Sequence, residues 1–243
     1  EVIIKNAARE PEIVDLCEFL IKMGMTINGL GTSELRIKGC TESSNINIEH
    51  DIIPDRIEAG TFLAASIITQ SKITIKNINL DHLQSVLYSF KQIGLLVLNQ
   101  TKSSITVKHE GEIKFKNLKT DIYPGFPTDM QPQWIALMCL SNGISKMEDT
   151  IYHDRFSHIP ELLRLGANVR LEKNIAIIKG VDKLMSADVM CTDLRAGAAL
   201  VLASLAATGS TTIGRIYHVD RGYEDFEKKL ELLGLDIKRI NSN

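Results

Sequence analysis

The sequence predicts an α/β fold built from repeats of about 70 residues that combine helices and strands. Four segments end alike, in an amphipathic helix, a glycine and an apolar strand: FLIKMG-MTI, SFKQIG-LLV, ELLRLG-ANV and LELLG-LDI. Their glycines are Gly24, Gly94, Gly166 and Gly234, at spacings of 70, 72 and 68 residues. Between these segments lie further helices that are apolar on most faces.

The elements of one unit follow from local patterns. Each glycine comes after the last turn of a helix, where a residue with positive φ is favoured. The preceding helices carry apolar residues at spacings of three and four, which predicts one buried face. A further strand follows three of the glycines, at residues 35–38, 104–107 and 175–178. Its alternation or short apolar run predicts a sheet with one covered face.

A second helix opens each full unit, at residues 58–65, 133–138 and 196–207. Because it is apolar on most faces, we expect it to be enclosed by sheets. A β-branched strand follows it, at residues 72–75 or 211–213. The unit is therefore α-β-α-β-β, and three full units follow the end of another. Since the chain opens inside a repeat, we expect a fragment or a processed product.

Composition excludes several classes of protein. The 28 Lys and Arg against 30 Asp and Glu leave a formal charge of −2, which argues against general nucleic-acid binding. The most apolar stretch, residues 196–207, is too short to span a membrane. Cys17, Cys40, Cys139 and Cys191 form no C-x-x-C pair and no His–Cys ligand spacing. We therefore expect free thiols in a reducing cytoplasm, with no metal and no cofactor.

Polar motifs recur at two places in the aligned units, the start of the enclosed helix and the start of the amphipathic helix. Helix N-termini favour anions, and arginines bind carboxylate or phosphate in bidentate fashion. Any single acid could instead cap its helix, but recurrence at one end of three units favours a shared anion site. The motifs are PDRIE (54–58), FPTDMQ (126–131) and TDLR (192–195), then AREPE (8–12), DRFSH (154–158) and DRGYE (220–224).

One of these motifs begins in a proline-rich turn, YPGFPTD at residues 123–129. Two prolines and a glycine fix the turn, which delivers Thr128 and Asp129 to a helix start. A rigidly held carboxylate suits a general base or a group that orients a hydroxyl. The alternative is that Thr128 or Asp129 only caps the helix.

These motifs closely resemble those of the UDP-N-acetylglucosamine 1-carboxyvinyltransferases, also called UDP-N-acetylglucosamine enolpyruvyl transferases. The likeness extends through NAAREPEIVDL (6–16), IIPDRIEAGTFLAA (52–65), TDLRAGAALVLA (192–203) and RIYHVDRGYE (215–224), in family order over the whole chain. The related 5-enolpyruvylshikimate-3-phosphate synthases share the fold. Their R-x-K-E-S-D-R motif has no counterpart here, so they are the more distant alternative.

The resemblance implies an inside-out α/β barrel of the enolpyruvyl transferase type. Such proteins have two similar domains, each with three β-α-β-α-β-β copies that place helices inside and sheets outside. Residues 1–53 would complete the domain that carries the catalytic loop. Residues 54–243 would form the second domain of three repeats, apart from a short N-terminal strand segment that is missing.

The resemblance also implies a reaction: transfer of the enolpyruvyl group of phosphoenolpyruvate to the 3′-hydroxyl of UDP-N-acetylglucosamine, with release of phosphate. This is the first committed step of peptidoglycan synthesis, and it connects the protein to cell-wall biogenesis, cell shape and cell division. Addition and elimination require a base at the sugar hydroxyl, a proton for the methylene carbon, and cations for the carboxylate and phosphate.

The site residues are carried over by motif. Asp129 matches the aspartate that contacts the sugar hydroxyl and serves in proton transfer. Arg155, Arg195 and Arg221 match arginines that line the phosphoenolpyruvate site, and Arg221 is also counted as catalytic. The partners implied are the two small-molecule substrates and the missing N-terminal segment, with no nucleic acid and no membrane.

Four further residues complete the predicted site. Ile151 occupies the position whose backbone touches the sugar nucleotide, and Tyr152 stands beside it. Asp193 and Asp55 are expected to support the site. The family's catalytic Cys loop and its Lys-Asn pair have no counterpart here, so we expect residues 1–243 alone to be inactive and to self-associate. The remaining alternative is a half-protein that binds an anionic ligand without catalysis.

Overall fold

The computed structural model describes residues 1–39 and 47–240, where helices alternate with strands. Within these described ranges no helix is long and apolar enough to cross a bilayer. The α-helices are α1 Pro11–Lys22, α2 Arg56–Ile68, α3 Gln84–Gln92, α4 Gln131–Met138, α5 Ile159–Arg164, α6 Leu194–Leu205, α7 Tyr217–Asp220 and α8 Phe226–Leu232. The strands are β1 Val2–Lys5, β2 Thr26–Asn28, β3 Glu34–Lys38, β4 Lys72–Lys76, β5 Leu96–Gln100, β6 Ser104–Lys108, β7 Leu118–Lys119, β8 Ile144–Glu148, β9 Asn168–Glu172, β10 Ile175–Lys179, β11 Leu184–Met185, β12 Asp188–Met190, β13 Ala207–Thr208 and β14 Thr212–Gly214.

The predicted repeat is visible in the order of the strands. Three sheets share one arrangement, β1-β3-β2, β4-β6-β5 and β8-β10-β9, in which the last strand of each unit lies between the other two. All of these pairings are antiparallel. In addition, β7 pairs in parallel with β8, and β12 pairs in parallel with β14. These two short strands precede α4 and α6, so two units show the first strand of a β-α-β-α-β-β repeat.

The glycines close the amphipathic helices as predicted. Gly24 has φ of +95° and Gly94 has φ of +117°, which a side chain would strain. After α1 the N–H of Met25 donates to the carbonyl of Leu20 at 3.1 Å, the bond that defines a Schellman end. The same bond ends α3, α5 and α8. There the N–H groups of Leu95, Ala167 and Leu235 donate to the carbonyls of Phe90, Leu162 and Leu230.

The three helices α2, α4 and α6 form the centre of the fold, with sheets outside them. Leu63, Leu137 and Leu200, one from each helix, are fully buried in a single core. Val107 of β6 and Ile178 of β10 cover this core from two sheets. Helices inside and sheets outside are the arrangement that the sequence predicts, so the predicted fold class is confirmed.

The third unit differs from its prediction. The sequence predicts an apolar strand after Gly234, but residues 235–240 form no helix or strand. A strand requires a neighbour for its backbone hydrogen bonds, and within the described residues no strand pairs with this segment. The strand predicted after Gly234 is therefore not formed in residues 235–240, and the prediction of three repeats in residues 54–243 stays a prediction.

The first strands and α1 have a small core of their own. Cys17, Ile27 and Leu35 are buried together, separately from the main core. The segment at residues 47–55 has no regular structure and lies against α1, where His50 Nε2 is 3.1 Å from a carboxylate oxygen of Asp15. The division of the chain at residues 53 and 54 stays a prediction.

The described cysteines are buried. Cys17, Cys139 and Cys191 are free thiols, and Cys40 lies outside the described residues. Burial raises the pKa of Cys139 to about 12 and that of Cys191 to about 11. Neither thiol is therefore a thiolate near neutral pH, and neither is suited to nucleophilic chemistry.

Candidate active site

Asp129 is delivered by a turn that is fixed from two sides. The hydroxyl of Ser85, on α3, donates to the carbonyl of Gly125 at 2.9 Å. The ring of Phe126 packs edge-on against that of Trp134, on α4, with centroids 5.6 Å apart. A short 3₁₀ turn, Thr128–Met130, then leads into α4. The turn therefore holds the Asp129 backbone by packing as well as by its prolines.

The carboxylate of Asp129 does not cap α4, which has no side-chain cap. One oxygen binds Nη1 of Arg155, and the other accepts from Nη2 of Arg195 at 3.0 Å. Burial acts to raise the pKa of Asp129, but the two guanidinium groups outweigh burial and hold the pKa below its usual value. Asp129 is therefore an ionised carboxylate that belongs to a charged cluster.

An open cavity of about 510 Å³ collects the four residues predicted to act on phosphoenolpyruvate and the sugar hydroxyl. Asp129, Arg155, Arg195 and Arg221 all line it, together with Tyr152. They come from three separate helix starts and from the turn after α7. A larger groove of about 700 Å³, between α3 and the turn after β5, contains none of the predicted site residues.

Arg221 differs from the other two arginines. Among the described residues it has neither a salt bridge nor a side-chain hydrogen bond, whereas Arg155 and Arg195 share Asp129. The cavity lining also includes Asp154 and Asp193, so three guanidinium groups face three carboxylates. Arg221 can therefore bind an incoming anion without disturbing an existing ion pair, whereas Arg155 and Arg195 are each paired with Asp129.

The two aspartates predicted to support the site both cap helices. Asp193 accepts from the N–H groups of Arg195 and Ala196, each at 2.9 Å, and its second oxygen accepts from the hydroxyl of Ser157 at 2.8 Å. Burial acts to raise the pKa of Asp193, but these hydrogen bonds outweigh it and lower the pKa. Asp55 caps α2 in the same way and does not line the cavity.

The loop that carries Ile151 and Tyr152 is organised by Asp149, a residue that the sequence analysis did not select. Asp149 is fully buried at the end of β8. Its carboxylate accepts from the N–H groups of Ile151 at 3.0 Å and Tyr152 at 2.9 Å. The N–H of Ile151 is thus occupied, which leaves its carbonyl for any backbone contact with a ligand.

Asp149 also connects this loop to the turn that bears Asp129. Its second oxygen accepts from the hydroxyl of Thr128 at 2.7 Å, and its first oxygen accepts from that of Thr120 at 2.8 Å. The Thr128 hydroxyl therefore holds the turn and does not cap α4. An aspartate directly after a strand and before a loop is the signal that could have found Asp149, because such residues form Asx turns.

Tyr152 and Arg155 lie together at the rim of the cavity. The guanidinium carbon of Arg155 is 5.2 Å from the centroid of the Tyr152 ring, within the range of a cation–π contact. Across the part of the chain that is described, no three His, Cys, Asp or Glu side chains are close enough together to hold a metal ion.

A comparison with protein families gives one match, which covers residues 1–230. The matching family is described as EPSP synthase (3-phosphoshikimate 1-carboxyvinyltransferase).

Similar curated proteins are longer than this chain. It is 50% identical over 240 residues to the UDP-N-acetylglucosamine 1-carboxyvinyltransferase of Geotalea daltonii, covering 99% of this chain and 57% of that protein. It is 51% identical over 236 residues to the enzyme of the same name from Chloroherpeton thalassium, covering 97% of this chain and 54% of that protein. The chain thus spans a little more than half the length of these relatives.

Solved structures show the same architecture. The enolpyruvyl transferase NikO from Streptomyces tendae matches with a TM-score of 0.86 and 26% identity, over 98% of this chain and 56% of that one. An EPSP synthase from Acinetobacter baumannii matches with a TM-score of 0.64 and 17% identity, over 88% of this chain and 52% of that one. The second likeness concerns the fold alone.

Proposed function

The chain belongs to the EPSP synthase (3-phosphoshikimate 1-carboxyvinyltransferase) family, and from that premise we propose that it forms the anion-binding and hydroxyl-binding wall of a UDP-N-acetylglucosamine 1-carboxyvinyltransferase. Within the family, sequence identity separates the UDP-N-acetylglucosamine 1-carboxyvinyltransferases from the EPSP synthases. The chain is about half identical to two enzymes of that name but 17% identical to the EPSP synthase. The acceptor is accordingly UDP-N-acetylglucosamine, and the donor is phosphoenolpyruvate.

The observation that carries this proposal is the carboxylate of Asp129 between two arginines of one cavity. In the reaction the sugar 3′-oxygen bonds to the central carbon of phosphoenolpyruvate while the methylene carbon gains a proton. Elimination then removes a proton from the resulting methyl group, breaks the bond to phosphate and restores the double bond. A carboxylate at the hydroxyl and cations at the leaving phosphate are the groups that these two steps need.

The arginines also regulate the basicity of Asp129. While Arg155 and Arg195 both bind it, the pKa of Asp129 is held low, and the carboxylate is a weak base. An anionic substrate group that binds the same guanidinium groups neutralises part of their charge and raises the pKa of Asp129. Phosphoenolpyruvate would thus prepare Asp129 to accept the proton of the sugar hydroxyl.

The remaining predicted residues have two roles: Ile151 and Tyr152 contact the second substrate, and Asp193 and Asp55 cap helices. Tyr152 is half exposed and lines the cavity, whereas Ile151, the residue before it, does not line the cavity; the proposed contact of both with the sugar nucleotide is supported by their shared loop. Asp193 supports Arg195 by capping the helix that bears it. Asp55 supports the neighbouring helix from outside the cavity.

The enzyme requires more than this wall. The chain spans 57% of the Geotalea relative, and we propose that residues corresponding to the remainder complete the active site from the facing side. The three described cysteines are free and buried, which supports a cytoplasmic location. Through its substrates, the proposed role is in peptidoglycan synthesis, and so in cell shape and division.

The test is phosphate release by the protein expressed from its natural open reading frame. Release that requires both phosphoenolpyruvate and UDP-N-acetylglucosamine is the expected result. Release with shikimate 3-phosphate as the acceptor, in place of the sugar nucleotide, would assign the chain to the other branch of the family. Binding of phosphoenolpyruvate without release of phosphate would favour a non-catalytic anion-binding protein.

A further inference from the structure

A buried polar cluster lies in the core beside the cavity and joins all three units. Thr61 comes from α2, Gln133 from α4 and Tyr223 from the turn after α7. Thr61 and Gln133 are fully buried, and Tyr223 is 2% exposed. The hydroxyl oxygens of Thr61 and Tyr223 are 2.8 Å apart, and Nε2 of Gln133 lies 3.2 Å from the first and 3.4 Å from the second.

The bonding around Thr61 sets the direction of the Tyr223 hydroxyl. The single hydroxyl hydrogen of Thr61 is donated to the carbonyl of Ile57, one helical turn earlier, at 2.8 Å. The amide nitrogen of Gln133 can only donate. The remaining donor between Thr61 and Tyr223 is therefore the phenol O–H. The lone pairs of the Tyr223 oxygen consequently point away from Thr61; one accepts from Gln133 Nε2 at 3.4 Å, which leaves the other as an acceptor.

The start of α6, which carries Arg195, packs against the turn that carries Tyr223. A Cβ atom at Gly222 would lie 2.8 Å from a methyl group of Leu194, so the turn carrying Tyr223 rests on the first turn of α6. Arg195 uses Nη2 for Asp129, whereas its Nη1 is buried without a hydrogen-bond partner among the residues described. Burial raises the pKa of the Tyr223 phenol, and the adjacent guanidinium partly offsets the rise.

We propose that Tyr223 is a positioning residue for Arg195, with its hydroxyl oxygen facing the buried edge of the guanidinium while the opposite edge faces Asp129 and the substrate anion. The inference rests on the proposed function. It gives the cluster a role that packing alone does not require, because an apolar core would avoid the cost of burying three polar groups. The plane of the guanidinium is thereby fixed before an anion arrives, which favours bidentate binding.

The first test is Tyr223→Phe in the protein expressed from its natural open reading frame. The change keeps the ring and removes only the hydroxyl. Removing the oxygen that faces the buried guanidinium edge predicts a KM for phosphoenolpyruvate that is raised about 10-fold. The KM for UDP-N-acetylglucosamine should change by less than about 2-fold, because only the anion loses a positioned partner. Tyr88→Phe, at an exposed tyrosine on α3, is the matched control and should leave both constants unchanged.

A double-mutant cycle separates positioning from general stability. If Tyr223 acts through the guanidinium, adding Tyr223→Phe to Arg195→Lys should change the KM for phosphoenolpyruvate little further. Additive effects of the two substitutions would overturn the proposal. So would a lower melting temperature for Tyr223→Phe with equal, small changes in both KM values, since that is the result of a purely structural role.

Calorimetric titration with inorganic phosphate distinguishes failure of this inference from failure of the proposed function. If the wild type binds phosphate but releases none from phosphoenolpyruvate, the proposed enzyme activity is wrong, and the role of Tyr223 is still tested. About 10-fold weaker phosphate binding by Tyr223→Phe would support positioning of Arg195. Equal affinities, or no phosphate binding by the wild type, would overturn it.

Discussion

The starts of α2 and α6 have the same aspartate cap, but the arginine that follows each cap points in a different direction. Asp55 accepts from two backbone N–H groups of α2 at 2.7 and 3.1 Å, and Asp193 does the same for α6 at 2.9 Å each. An arginine follows in both cases, Arg56 as the first helical residue and Arg195 as the second. Successive helical residues point about 100° apart, so one position of offset turns the two guanidinium groups in different directions.

The consequence is a division of roles. Arg56 binds Glu12 of α1, with its Nη2 at 2.8 Å from the carboxylate, and so joins the small core to the large one. Arg195 faces the cavity and binds Asp129. The start of α4 is different again, because Asp129 leaves its helix uncapped and keeps its carboxylate for other side chains. A motif at a helix start therefore indicates a cap or a site only once its neighbours are known.

The largest expected effect is on turnover, and it distinguishes Asp129 from the two aspartates that cap helices. Asp129→Ala should lower turnover by roughly 10²- to 10⁴-fold, the usual contribution of a general acid–base group. Its melting temperature should stay close to that of the wild type, because no helix cap is lost. Steady-state phosphate release and a thermal scan measure the two effects, with exposed Asp182→Ala as the control. Near-normal turnover together with a large fall in melting temperature would mean that Asp129 is structural.

The start of α5 offers a further contrast, a buried histidine that neither caps nor faces the cavity. Burial lowers the pKa of His158 to about 4, although Asp193 opposes the shift. Because the unfolded chain binds this proton near pH 6.5, the free energy of unfolding should fall by roughly 3 kcal/mol between pH 6.5 and 4. His158→Leu should lose this part of the pH dependence in urea titrations, while exposed His153→Gln should keep it. Equal pH profiles for wild type and His158→Leu would contradict the assignment.

Replacing arginine with lysine tests whether the cavity arginines bind an anion in a way that Arg56, at the start of α2, does not. Arg155→Lys, Arg195→Lys and Arg221→Lys keep the charge but lose the bidentate fork, so the KM for phosphoenolpyruvate should rise about 10- to 100-fold. The KM for UDP-N-acetylglucosamine should change less. Arg56→Lys, at the equivalent helix start outside the cavity, should leave the first constant near its wild-type value. Equal, small effects on both constants in all three site variants would argue against a shared anion subsite.

The smallest expected effect concerns the caps themselves. Asp55→Ala should lower the free energy of unfolding by about 1 kcal/mol, the typical value of an N-cap. Asp193→Ala should lower it somewhat more, since Asp193 also accepts a hydrogen bond from Ser157. Urea unfolding at neutral pH measures both. If Asp55→Ala left the free energy of unfolding unchanged, the Asp55 cap would not stabilise α2, and the prediction would be wrong.

The sequence predicted the repeat correctly because each signal lies within a few residues. Gly94 ends α3, and the N–H of Leu95 directly after it donates to the carbonyl of Phe90, five residues earlier. The apolar spacing of α2 or α6 depends only on the helical period. The strand predicted after Gly234 failed for the opposite reason. Leu235 and Ile237 have suitable residue types, but a strand also depends on a partner elsewhere in the chain.

The sequence by itself determined where helices end, which helices are enclosed, and that charged motifs recur at one end of every unit. Only the tertiary structure decided which charges meet. Asp129 binds Arg155 and Arg195, which lie 26 and 66 residues away along the chain, and Tyr223 meets Thr61 across 162 residues. A cap is fixed within one helical turn, whereas these contacts depend on how the units stack. The same short motif can therefore become a cap, an ion pair between two cores, or part of a site.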